Sequence, residues 1–380
     1  MRVGVKPELL RWACERAGLA GEACARRFPR LDAWTSGAAQ PTLRQLENFA
    51  TATHTPIGYL FLTEPPIEQV PLPDFRSPAV RQAARPSANL LDTIYLCQQR
   101  QEWYRDYART MGDPRLPFVG SAKHGADVEA TATTIRGALG FDLDARAKMP
   151  TWTDALRAFI EQADGAGIMV MCSGVVQNNT HRRLDRDEFG GFAMADDLAP
   201  LVFVNGADTK ARQMFTLAHE LVHVWLGQSG LSDADPRAVP NHDIEAWCNR
   251  VAAELLVPLE VIRAEYRRQR DLREEVRRLA HRFKVSTLVV LRRIHDAGGL
   301  DRQAFWREYD TEVGLLRAIP KGTGGSFYLS QTARVSKRFA RALVVSTWEG
   351  HSSFTDAFRL LGIKKVSTFR EMGHKLGMDF

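Results

Sequence analysis

His219-Glu220-Leu221-Val222-His223 constrains this chain more than any other five residues. It sits in an apolar run from Met214 to Leu226, which reads as a buried helix. On a helix, imidazoles four positions apart point the same way, so both can bind one metal ion. Glu220 lies about a hundred degrees further round, where its carboxylate can reach a water beside that ion. The bland alternative is a chance match on a core helix, so the surrounding residues have to decide.

They favour the helix. Asp208 and Thr209 suit its start, and Gly227 with Gly230 suit its end. Upstream, Leu201–Asn205 is a short β-rich run closed by the turn pair Asn205-Gly206. Gly191–Ala195 and Gly167–Met171 are two further candidate strands. The expected class is α+β, mostly helical, with a small sheet over metal-binding helices. An exposed edge of such a sheet can pair with an extended peptide.

A catalytic zinc needs three protein ligands and one open position. The residues just after His223 contain no further His, so the third ligand comes from elsewhere. The next helical stretch runs from Ile244 to Val257 and ends at Pro258. Glu245 is the choice for third ligand, with Asn249 one turn later on the same face, placed to orient a ligand. By spacing alone, His242, Asp243 and Glu254 compete with it.

The stretch Phe215–His223, followed by Glu245 and by Ala253-Glu254-Leu255-Leu256-Val257-Pro258, resembles the ImmA/IrrE family of metallo-endopeptidases. The resemblance covers roughly residues 150 to 300. It implies a gluzincin-like peptidase fold in which His219, His223 and Glu245 hold Zn2+ and Glu220 is the general base. The family's small residue and Asn are matched by Cys248 and Asn249. It also implies proteolysis of a regulatory protein, typically a repressor, often beside a helix-turn-helix segment. In such chemistry the carboxylate takes a proton from the attacking water and passes it to the leaving amine. Tyr266, Tyr309 and His351 have the residue types of an oxyanion donor, and nothing more singles them out.

Length and composition set the frame: 380 residues, 44% hydrophobic and 25% charged, suit a globular chain of two or three domains. The expected organisation is a helix-turn-helix-like domain at 1–64, a Pro-rich linker at 65–87 and a peptidase domain at 88–260. A second helix-turn-helix-like segment at 261–300 and a C-terminal helical region at 301–380 follow. Cys14, Cys24, Cys97, Cys172 and Cys248 form no CxxC pair, which reads as reduced thiols. With no leader and no apolar run of membrane length, the expectation is a cytoplasmic protein without membrane contact.

The formal charge of +6 is unevenly spread. Asp185–Glu260 holds 13 acidic and 5 basic residues, whereas Val261–Asp296 holds 5 acidic and 11 basic. Arg317–Phe380 is basic too, with 11 against 4. Basic flanks can meet nucleic acid or an acidic protein. The interleaved acids of Arg267–Arg278 favour a solvated amphipathic helix instead.

In the first 64 residues Pro7 starts a helix, Gly18 ends it, and Thr42 with Gln45 spells a capping box. Leu19–Glu22, Trp34–Gly37 and Pro41–Leu43 resemble a repressor-type helix-turn-helix. Between Phe28 and Trp34, however, lie only five residues. The shortening falls on the part that reads base edges, which sets sequence-specific DNA binding in doubt. Pro65, Pro66, Pro71, Pro73, Pro78 and Pro86 then mark an extended strap lying on the next domain. Asn89–Met111 reads as a long helix with Leu90, Ile94, Cys97 and Tyr104 on one side, interrupted by Gln101. Leu279–Arg293 reads as a helical hairpin, and Lys321–Gly325 as a loop lacking phosphate-loop order.

Two functions of different class follow. One is a zinc endopeptidase acting on a repressor or antitoxin-like protein. The other is a DNA-binding regulator or antitoxin-like protein whose metal is structural or sensory. An intact Glu220 favours the first, because a structural ion has no use for that carboxylate.

Overall fold

Apolar residues three and four apart recur along this chain, and helices make up most of its structure. The computed structural model describes residues 1–19, 21–76, 85–232, 243–318 and 333–378. Four strands form one mixed sheet, so the class is α+β and mostly helical, as the sequence suggests. The chain divides into two compact units: Met1–Pro71 with Arg81–Tyr95, and Leu72–Val80 with Leu96–Phe380.

The first unit holds α1 (Pro7–Arg16), α2 (Gly21–Arg27), α3 (Leu31–Thr35) and α4 (Leu43–Ala52), then a 3-10 turn at Ile57–Phe61. Thr42 and Gln45 form the capping box expected from their spacing. Thr42 Oγ1 accepts from the Gln45 amide at 3.3 Å, and Gln45 Oε1 accepts from the Thr42 amide at 2.8 Å. Leu9, Leu10, Trp12, Leu46 and Phe49 build a small core. With five residues, α3 is as short as the stretch after Phe28 implies.

Cys14 and Cys24 are joined by a disulfide in this unit. That corrects the reading of all five cysteines as reduced thiols. Ten positions apart, the two meet only because folding brings α1 and α2 together. Cys97, Cys172 and Cys248 are free. Cysteine usage therefore does not by itself place the chain in a reducing compartment. Among the described residues no helix is long and apolar enough to cross a membrane.

After α5 (Ala88–Met111), the second unit holds α6 (Val128–Leu139), α7 (Leu143–Ala147), α8 (Trp152–Gly165), α9 (Lys210–Leu226) and α10 (Asp243–Leu256). Then come α11 (Leu259–Glu265), α12 (Leu272–Phe283), α13 (Thr287–Asp296) and α14 (Arg302–Ala318). The chain closes with α15 (Lys337–Trp348), α16 (Phe354–Leu361) and α17 (Val366–Lys375). The strands are β1 (Met169–Ser173), β2 (Gly191–Met194), β3 (Leu201–Asn205) and β4 (Gly230–Ser232), in the order β1-β3-β2-β4.

β1 runs parallel to β3 with Met169 opposite Leu201, while β2 is antiparallel to both β3 and β4. β1 starts two residues later than its sequence pattern suggests. Every residue of β2, β3 and β4 is buried, the signature of a sheet covered on both faces. Helix α9 packs on β2 and β3, α8 packs on α9 and β1, and α10 lies against α9 and α6. The metal-motif helix therefore sits under the strands, in the order the sequence implies.

The α5 stripe of Leu90, Ile94, Cys97 and Tyr104 is buried as expected. Gln101 is buried as well, its Nε2 donating to the Met194 and Ala199 carbonyls at 2.9 Å each. The polar residue that breaks the stripe thus ties off the end of β2. The hairpin α12–α13 turns at Lys284 (φ 52°), and Ser286 caps α13 by accepting from the Val289 amide at 3.3 Å. Val276, Leu279, Phe283, Val290 and Ile294 share one core with α9 and α10, so the hairpin packs on those two helices. Its arginines meet acids: Arg278 pairs with Glu275 at 2.6 Å and Arg282 with Asp144 at 2.8 Å. His242 and the glycine-rich 321–325 lie outside the described residues.

Candidate metal centre

Thr209 caps α9 by accepting from the Arg212 amide at 3.3 Å, and Gly227, left-handed at φ 67°, ends it. From Gln213 to Trp225 every residue is buried, so the helix is enclosed on all sides. His219, Glu220 and His223 have no exposed surface at all. Desolvating such groups costs several kcal/mol unless each gains a partner. Glu245, 5% exposed, arrives from α10 to meet them.

The four residues form one cluster. Glu245 Oε2 lies 3.1 Å from His219 Nε2, Glu245 Oε1 lies 3.0 Å from His223 Nε2, and the two Nε2 atoms are 3.1 Å apart. Bonds of 2.0–2.2 Å in a tetrahedral zinc site give ligand–ligand edges of about 3.3 Å, close to these separations. Each Glu245 oxygen thus faces one imidazole Nε2, so the four atoms surround a common point. Both Glu220 oxygens are buried and without a hydrogen-bond partner among the described residues. Two imidazoles, a carboxylate and a second carboxylate alongside suit a single divalent ion.

The other contenders lie elsewhere. Glu254 pairs with Arg293 and accepts from the Leu259 amide, and Asp243 is exposed. Asn249 acts on His219, favouring its charged form, although Asn249 Oδ1 makes no full hydrogen bond. Tyr309 packs among Phe305 and Trp306, Tyr266 lies beside Gly299, and His351 is exposed near Glu349. None of the described contacts of Tyr309, Tyr266 or His351 reaches the cluster.

Charge among these four side chains is shared unequally. Burial acts to lower His219, but the Glu245 carboxylate overrides it and holds the imidazolium up to about 9. Burial lowers His223 below the usual histidine range. Burial also acts to raise Glu245, yet the His219 charge prevails and holds it well below ordinary carboxylates. Glu220 is pushed up by burial to about 8, against the pull of His219.

Sequence reasoning missed Phe75. Its ring stacks on His223 with centroids 5.6 Å apart and planes 6° from parallel. Phe75 N donates to the Leu231 carbonyl at 2.9 Å, and Leu231 N donates to the Pro73 carbonyl at 2.9 Å, so Pro73–Arg76 runs alongside β4. Pro73–Arg76 thus occupies the edge of the sheet at β4, where an extended peptide could otherwise pair. At Gly230 any Cβ would fall 2.2 Å from Phe75 Cε2, so only glycine admits the ring. From sequence, Gly230 reads only as a helix terminator. The available signal was Asp74-Phe75-Arg76, an aromatic between opposite charges among prolines.

Residues 163–295 match the family model described as Peptidase_M78, IrrE N-terminal-like domain. Residues 335–375, which take in α15 to α17, match a domain of unknown function, DUF8813. No curated protein matches the chain. The first match contains all four strands and the whole His219, Glu220, His223 and Glu245 cluster.

Proposed function

The chain carries an ImmA/IrrE-type peptidase domain, and on that premise we propose that it is a zinc-dependent endopeptidase cleaving a regulatory protein, a repressor or antitoxin-like partner. The supporting observation is the convergence of His219, His223 and Glu245 beside a fully buried Glu220 within a metallopeptidase family domain. Those three residues would hold the zinc, with Asn249 steadying His219. Zinc bound there supplies a Lewis acid that brings a water's pKa to about 7. Glu220 takes the proton of the attacking water and delivers it to the leaving amine. The regulator with a structural metal is the weaker reading, because a buried carboxylate beside the ligand set would then be a cost with no return.

Metal analysis and cleavage assays on candidate repressors test the proposal. One zinc per chain is expected, with cleavage abolished by chelator and restored by zinc. Absence of stoichiometric metal, or cleavage indifferent to chelation, would overturn it. A pH dependence follows as well. The ion-free site holds a proton on His219 up to about 9, and zinc must displace it. Zinc affinity should therefore tighten as pH rises towards that value and weaken below it. Proton release on adding zinc to weakly buffered protein at pH 7 checks this.

A further inference from the structure

We propose that Phe75 is a positioning residue of the metal centre, holding the His223 ring by its flat face in place of the usual hydrogen bond. The proposal rests on the reading of His219, His223 and Glu245 as zinc ligands. A ligating imidazole almost always donates its second ring N–H to a carboxylate, carbonyl or water, which fixes the ring's orientation. His223 departs from that pattern, as His219 does: the Nδ1 of each is buried and has no hydrogen-bond partner among the described residues. What the His223 ring has instead is Phe75, its plane nearly parallel and at a centroid distance where offset rings attract. A ring pressed against a flat face can slide but cannot tip. Nε2 is thereby kept aimed at the point it shares with Glu245, 3.0 Å away.

Phe75 is itself held from three sides. Its backbone pairs with Leu231 of β4, and the missing Cβ of Gly230 makes room for its ring. On the far side, Asp74 grips the Arg76 guanidinium at 2.9 and 2.8 Å, and buried Arg76 donates to the Glu188 carbonyl at 3.2 Å. A spacer between domains has no need of such anchoring. A part of the metal centre does.

Zinc affinity of the full chain, measured by competition with a chromophoric chelator at fixed pH, tests this on Phe75→Ala, Phe75→Leu and Phe75→Tyr. Thermal melts of the zinc-free proteins accompany it. Leu keeps apolar bulk without a flat face, whereas Tyr keeps the face. Phe75→Ala and Phe75→Leu should weaken zinc binding about tenfold, and Phe75→Tyr should stay within about threefold of the parent. If Phe75→Leu binds zinc as the parent does, Phe75 only fills space and the proposal fails. Should Phe75→Ala not fold, the Leu and Tyr variants alone decide. A parent chain that takes up no zinc overturns the underlying ligand assignment, an outcome distinct from equal affinities across the series.

Discussion

Glu220→Gln is expected to retain zinc at the parent stoichiometry and to lose roughly 10²–10⁴ in cleavage rate. Gln matches the shape of Glu but cannot accept a proton at neutral pH. The ligands His219, His223 and Glu245 are untouched, so the loss should appear in the chemical step while metal content stays constant. A second readout separates this from damage to the fold. Both Glu220 oxygens are buried without a hydrogen bond of full geometry among the described residues, so replacing an ionisable group by an amide should leave the melting temperature of the zinc-free protein no lower. Undiminished cleavage by the variant would remove Glu220 from the base role.

Arg293→Met should destabilise the second unit by about 3–5 kcal/mol, the usual cost of stranding one partner of a buried ion pair. Arg293 on α13 and Glu254 on α10 pair with only 6% of either side chain exposed. Arg293 Nε also donates to the Val257 carbonyl at 2.8 Å. Once that guanidinium is gone, Glu254 keeps the Leu259 amide as a hydrogen-bond donor and the more distant charge of Arg136. The double variant Arg293→Met with Glu254→Leu should regain most of the loss, since apolar replacement of both partners is often neutral or better. Denaturant titrations of the four proteins would show it, and strictly additive losses would sink the argument. Helix α10 also carries Glu245, so the pair ties the C-terminal hairpin to a candidate zinc ligand.

Much of this was legible in the residues. The span of α9 could be read because its apolar run, the Thr209 cap and the Gly227 terminator are all local. The Thr42–Gln45 capping box, its two residues three positions apart, was equally plain, as was the buried stripe of α5. Harder features depended on distance through the fold. Cys14 and Cys24 gave no spacing signal for their disulfide, and Gln101 looked like an interruption when it is an anchor.

By itself the sequence determined the helix that presents His219, Glu220 and His223 on neighbouring positions, because a 3.6-residue period converts spacing directly into direction. Only the tertiary structure decided that Glu245 reaches those rings while Glu254 turns to Arg293, and that Phe75 comes back to lie on His223. The physical reason is that helix geometry acts between neighbours along the chain. Which side chains meet across separate elements depends on how close-packed layers settle against one another, and no spacing in the sequence encodes that.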